Sequence, residues 1–404
     1  MKRTPLFPAL TALLLASAAH ADVVTDWNIT AGEIVNASNI TTPEANRAFA
    51  IVLTASYRAA NSLTGRYGGA PAERRAGSAV SVEAAIAAAH RATLSALVPG
   101  QKPAIDKAYE TALAKIADGA EKDAGIKVGE REAAATLAER AEDGAGAAES
   151  WRPRSAPGVY VPTVIPAVPQ WPGRKPWLMS GAAQFRPAPP PALTSAEWAR
   201  DYNEIKAVGA KDSTTRTPEQ TAIARFWETH RPTIYHGILR SVANQPGRDV
   251  TQNAHLFMAA AQAVDDAMIA VFDGKYAFSF WRPITAIRNG DQDGNDATER
   301  DASWRPLIDT PMHPEYPCAH CIVAAAVGTV LEAEIGNGPV PKLTTTSPTA
   351  AGAARSWTSV AAFVAEVGDA RIYDGVHYRN STEVGAGMGR KIGALAVAKF
   401  YPPR

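Results

Sequence analysis

The sequence predicts an all-α protein built from helical bundles, with one irregular segment wrapped on the helical body. Three observations predict it. Apolar residues recur at helical spacing through alanine-rich stretches in both halves of the chain. Alternating β-branched runs, which mark strands, are scarce. Between Trp151 and Leu193 the composition turns to proline, tryptophan and small residues, a mixture that an α-helix does not tolerate.

The first 21 residues, followed by Asp22, carry Lys2 and Arg3, an apolar run, and the small-residue pattern Ala19-His20-Ala21. This is the pattern of a secretory signal peptide cleaved after Ala21. The run is too short for a membrane span, and no later stretch of roughly 18 apolar residues is free of charges. The mature chain is therefore expected to be soluble and secreted, into the periplasm if the host is Gram-negative.

An N-terminal helical region is expected over 22–150, with helices near 43–64, 79–97, 103–118 and 129–148. In the first of these Thr42 is the expected cap, Pro43 suits the first turn, and Phe49, Val52, Leu53 and Tyr57 form a core stripe. This region is expected to cover the bundle or to form a homodimer contact. Residues 151–193 are expected to wrap the body, because their tryptophans offer apolar surface to bury. A third region, 194–404, opens with a capping-box-like start at Thr194 and Glu197 and continues in helices near 217–229, 235–246, 251–273, 320–335, 355–368 and 382–400.

Forty-one basic residues against forty acidic ones create no field that would favour nucleic acid or an anionic membrane surface. Any anion site must be local. Three segments have the residue types for one. Lys275 and Arg282 sit seven apart around the end of a long helix, where they could share a tetrahedral oxyanion. The stretch HPEYPCAHCIV places His313, His320, both cysteines of the chain and a carboxylate within eleven residues, just before an apolar helix whose first N–H groups favour an anion. Arg371 precedes His377 by six positions, ahead of the final helix. Taken singly each is ordinary, since isolated charges and histidines usually serve the surface or a loop. By residue type alone, Cys318, Cys321 and the neighbouring histidines are also compatible with a thiol redox site or a zinc site, although the βαβ context of the first and the ligand spacing of the second are missing.

Together, and in this order, Lys275 with Arg282-Pro283, the Pro-x-x-His segment ending in His320, and Arg371 with His377 resemble the three-part signature of the type 2 phosphatidic acid phosphatase and vanadium-dependent haloperoxidase superfamily. The stretches DVVTDWN, QFRPAPPPALTS, RTPEQTAIARFW and FWRPITAIRNGDQDGN resemble its soluble haloperoxidase-related branch. The resemblance implies an all-α fold of the vanadium haloperoxidase and acid phosphatase type. It implies His377 as the vanadate ligand or phosphate nucleophile, and His320 as general acid/base. Lys275, Arg282 and Arg371 would then hold the equatorial oxygens, with Cys318 and the Ala319 N–H where the family has Ser-Gly. Vanadate is the expected cofactor if the chain is a peroxidase acting on peroxide and halide; none is expected if it is a phosphatase cleaving a phosphate ester through a phosphohistidine. A non-catalytic anion-binding protein is the third alternative.

Three departures from the pattern shape further expectations. Ala370 stands where a serine often precedes the arginine, and Ser381 stands where the family carries an acid four residues past the histidine. Glu383 or a backbone carbonyl is therefore expected to orient His377. Asp265, on the apolar helix before Lys275, is expected as a partner for a site cation such as Arg371. The family's pocket position seven residues before the acid/base histidine is His313, which resembles bromoperoxidase-like members and points to bromide. Cys318 and Cys321 can pair after export, and once paired Cys318 can no longer donate a hydrogen bond.

Overall fold

A computed structural model describes residues 22–68, 80–229 and 231–402. The expected signal peptide lies outside the described residues. Helices α1 (Val23–Ala37), α2 (Thr42–Thr64), α3 (Val82–Leu97), α4 (Lys102–Leu113) and α5 (Ala120–Arg140) precede the irregular segment. After it come α6 (Ala196–Val208), α7 (Pro218–Phe226), α8 (Pro232–Ala243), α9 (Val250–Phe278), α10 (Pro283–Arg288) and α11 (Ala319–Ile335). A two-stranded antiparallel hairpin, β1 (Leu343–Thr346) and β2 (Ala354–Trp357), leads to α12 (Val360–Tyr373) and α13 (Arg379–Phe400). The all-α expectation holds.

The axis of the fold is α9. It is long and apolar enough to cross a membrane, yet it is buried inside the protein, with α2 on one flank and α11 and α13 on another. One continuous apolar core runs from Val24, Phe49 and Leu53 through Phe257, Met268 and Phe272 to Val327 and Ile392. The expected stripe on α2 is part of it, with Tyr57 half-buried at its edge.

Helix starts differ from expectation by one residue where two hydroxyls compete. Thr41, not Thr42, caps α2, because its side chain accepts from the Glu44 N–H while Glu44 closes the box. Ser195, not Thr194, caps α6 by accepting from the Trp198 N–H. Two expected helices have the most displaced starts. The one placed at 129–148 is α5, which begins at Ala120, where Glu121 and Asp123 suit the positive end of the helix dipole, and ends at Arg140. The one placed at 355–368 is α12, because Ala354–Trp357 pairs with the Thr-rich Leu343–Thr346 and Ser359 then caps the helix.

Residues 151–193 contain two short 3₁₀ turns and no α-helix, and they are fastened to α9 by buried charge. Arg174 binds Asp265 in two-pronged fashion, at 2.6 and 2.9 Å, and binds Asp143 at 2.9 Å. The Trp177, Leu178 and Met179 N–H groups all donate to Asp266. Asp265 thus pairs with Arg174 and not with Arg371 as expected, because the wrapping segment carries a cation into the helix face beside it.

The close approach of α11 and α13 sets the site. A Cβ at Gly385 would lie 2.6 Å from the Cys318 carbonyl oxygen, and one at Gly389 would lie 2.2 Å from that of Ile322. Glycine at these helical positions lets α13 lie against the start of α11.

Candidate functional site

The three expected segments converge where α9 ends, α11 begins and α12 turns into α13. Lys275, in the last turn of α9, is fully buried and donates to the carbonyls of Pro314 and Glu315 at 3.0 and 2.8 Å. Arg282 stands at the start of α10. Its Nε donates to the His313 carbonyl at 2.9 Å, and one terminal nitrogen donates to the Val376 carbonyl at 2.8 Å. That same nitrogen lies 3.4 Å from His377 Nε2, while the other is 2.9 Å from His313 Nδ1. Arg371, in the last turn of α12, donates to the Trp227 carbonyl at 2.7 Å and pairs with Asp374 at 2.7 Å.

His377 precedes α13, and its orientation comes from an unexpected quarter. Glu315 Oε1 lies 2.7 Å from His377 Nδ1 and also accepts from the Tyr378 N–H at 3.1 Å. Arginine can only donate, so Nε2 facing Arg282 is the acceptor and Nδ1 carries the proton that goes to Glu315. Ser381 Oγ is 3.4 Å from the same Nδ1, so the serine at the family's acidic position is close but the carboxylate is closer. Glu383, the expected partner, is exposed on α13 and does not contact the ring. Glu315, by contrast, is carried in by the HPEYP loop, pinned by its own N–H to the Phe280 carbonyl at 2.9 Å. The residue was within the quoted motif. What pointed to it was Ser381: a histidine that lacks its local acid needs another acceptor.

His320 is buried one residue into α11. That first turn is tied to the His377 segment by the Cys318 N–H donating to the Ser381 carbonyl at 3.2 Å. Cys318 and Cys321 form a disulfide, so Cys318 has no thiol proton to donate, and Ala319 offers its backbone N–H from the helix start. His313 is buried with its ring edge-on to Phe272. Among the described residues no cluster of three or more His, Cys, Asp or Glu side chains is placed to hold a metal ion.

The electrostatics are those of an anion site. Burial, and then the neighbouring Arg282, hold Lys275 well below its usual value. Burial brings Arg282 down to about 10, with Arg371 adding to the effect. Burial, then Arg282 and Lys275, keep the His377 imidazole neutral by pushing its pKa far below the ordinary value. The carboxyls respond the other way, with burial raising Glu315 and Asp374 each to about 7. Three cations thus face two reluctant carboxylates, and the buried Nε of Arg371 has no hydrogen-bond partner in the protein. A tetrahedral oxyanion, vanadate included, would supply the missing negative charge and acceptors, so the residues fit such a group.

Residues 255–401 match the family model of the second helical-bundle domain of vanadium chloroperoxidase. The match is consistent with the phosphatidic acid phosphatase type 2 and vanadium haloperoxidase superfamily. Vanadium chloroperoxidase of Curvularia inaequalis is 28% identical over 174 aligned positions, covering 35% of this chain and 28% of that enzyme. The crystal structure of a bacterial vanadium-dependent iodoperoxidase superposes with a TM-score of 0.79 at 24% identity, covering 93% of this chain and 95% of that one. The apo form of a bacterial vanadium-dependent chloroperoxidase gives a TM-score of 0.72 at 18% identity over 89% of this chain and 93% of its own. These superpositions carry the fold, and the residues that resemble the superfamily's signature are Lys275, Arg282, His320, Arg371 and His377.

Proposed function

We propose that the protein is an exported vanadium-dependent haloperoxidase that uses hydrogen peroxide to oxidise bromide or iodide. The observation that carries this reading is His377: its Nδ1–H is held by Glu315, and its Nε2 lone pair is presented to a cluster of three buried cations. Bound vanadate would supply Lewis-acid activation of peroxide toward two-electron oxidation of halide. The remaining work falls to the chain. His377 Nε2 provides the protein ligand, and Glu315 holds its tautomer. Lys275, Arg282 and Arg371 compensate oxyanion charge, and the Ala319 N–H adds a donor. His320, in the first turn of α11, is assigned to proton transfer with peroxide. His313, buttressed by Phe272, supports an easily oxidised halide, and the likeness to an iodoperoxidase supports including iodide. The disulfide supports export, since such bonds persist in oxidising compartments.

The test uses mature protein prepared in phosphate-free buffer, with and without orthovanadate, beside His377→Ala. Vanadate-dependent oxidation of bromide or iodide that disappears in the variant is the expected result. Release of nitrophenol from its phosphate ester in the vanadate-free sample, inhibited by vanadate, would instead make the chain a phosphatase working through His377. Anion binding without either activity would sink both enzymatic readings.

A further inference from the structure

Next to the oxyanion site lies a cavity of about 320 Å³ whose inner wall includes Arg282. Its outer wall is two-faced. Val161, Val164 and Met312 line one part of it and are 40%, 51% and 51% exposed, among the most exposed large apolar side chains described. Lys211, Arg288 and Arg305 line another part, against one carboxylate, Asp309. None of those three cations is in an ion pair among the described residues, and Lys211 and Arg305 are exposed.

Both walls are built on fixed backbone. The Lys211 N–H donates to the Arg305 carbonyl at 2.8 Å, and the Leu307 N–H to the Gly209 carbonyl at 3.1 Å. On the apolar side the Ala167 N–H donates to the Met312 carbonyl at 2.7 Å, and the Tyr160 N–H to the Ser279 carbonyl at 2.8 Å. Exposed apolar side chains grouped around one concavity mark a binding surface, and unpaired cations at its rim select the sign of what binds.

We infer that this cavity is a subsite for a small organic anion, a carboxylate or phenolate with an apolar body of about one ring. The volume suits such a molecule, with the anionic group at Lys211 and Arg305 and the apolar body against Val161, Val164 and Met312. Arg282 joins the cavity to the inner site, its terminal nitrogen being 3.4 Å from His377 Nε2. The subsite's role as halogen acceptor rests on the haloperoxidase reading. In that role the halogen of hypohalous acid bonds to a ring carbon, and the displaced C–H proton leaves with hydroxide as water.

The experiment is a calorimetric titration of the full mature chain, first saturated with orthovanadate, using 4-phenylbutyrate and its neutral counterpart 4-phenylbutan-1-ol. Two exposed rim cations predict roughly tenfold tighter binding of the carboxylate. Both Lys211→Gln/Arg305→Gln and Lys211→Glu/Arg305→Glu should erase that preference. Equal affinities, no binding, a preference that survives in both variants, or carboxylate binding that vanishes once vanadate is present would each overturn the subsite. Iodide oxidation without any organic acceptor judges the haloperoxidase reading separately. If vanadate itself does not bind, that reading fails, and the same titration of the vanadate-free chain and its variants still decides the subsite.

Discussion

Two buried charge clusters sit along α9, and they are built on opposite rules. Near its middle, Arg174, Arg140 and Arg47 meet Asp143 and Asp265, with every carboxylate engaged by a guanidinium. Burial opposes the charge of Arg174, but Asp265 and Asp143 outweigh it and hold the group above its usual value, while Arg47 and Arg174 overcome burial to draw Asp143 down to about 2. At its end, Lys275, Arg282 and Arg371 are held mainly by backbone carbonyls, and burial depresses all three. The first cluster is closed by the protein's own charges; the second is left open for a ligand's. A buried charge without compensation is costly, so an open cluster is stability given up for binding.

The largest effect should come from breaking the closed cluster. Asp265→Ala leaves Arg174 buried without its two-pronged partner, and denaturant unfolding should report a loss of roughly 3–5 kcal/mol that added vanadate does not repair. The open cluster should answer differently. Saturating orthovanadate should stabilise the wild type by about 2.7 kcal/mol at a hundredfold excess over Kd. Lys275→Met should lose that response and, without anion, be no less stable than the wild type. An anion-free Lys275→Met protein that unfolds as readily as Asp265→Ala would erase the distinction between the clusters.

A smaller effect should follow from Glu315→Gln. The amide can still accept from Nδ1–H but carries no charge, so vanadate affinity should fall by roughly 10–100-fold with the fold intact. The corresponding change at Glu383 should leave affinity within error. The smallest effect is a pH dependence. Burial raises the Asp374 carboxyl above its unfolded value, to about 7, so its protonated form favours the folded state. That contribution is complete below the unfolded pKa near 3.8 and is lost as pH rises through about 7. Chemical denaturation of the anion-free chain should show wild type losing ground to Asp374→Asn across that window. An unchanging difference would mean that Asp374 is ionised throughout.

The contrast between the clusters also explains what was legible in the sequence. Lys275, Arg282, His320, Arg371 and His377 could be singled out because each sits at a fixed offset within a short motif, and the helices that carry them announce themselves by apolar spacing. The partners of Asp265 and His377 are not legible in the sequence, because both are distant along the chain. Arg174 reaches Asp265 across 91 residues, and Glu315 reaches His377 across 62. The hairpin escaped for the same reason: Thr344 and Ser356 face each other only after the chain has folded back, and neither strand alternates strongly enough to show it. Local spacing reports local structure, while the pairing of buried charges is settled by docking.

The carboxylate that holds His377 lies on the loop before α11, whereas the family's acid lies one turn along the histidine's own helix. Positions 315 and 381 should therefore answer differently to mutation. Position 381 is released from the duty of supplying a negative charge and can drift among small residues that tolerate the contact with α11. Position 315 inherits that duty and should tolerate few replacements. A library randomised at both positions and selected for vanadate retention should keep the acid at 315 while sampling widely at 381, and an Asp introduced at 381 should restore variants that have lost Glu315.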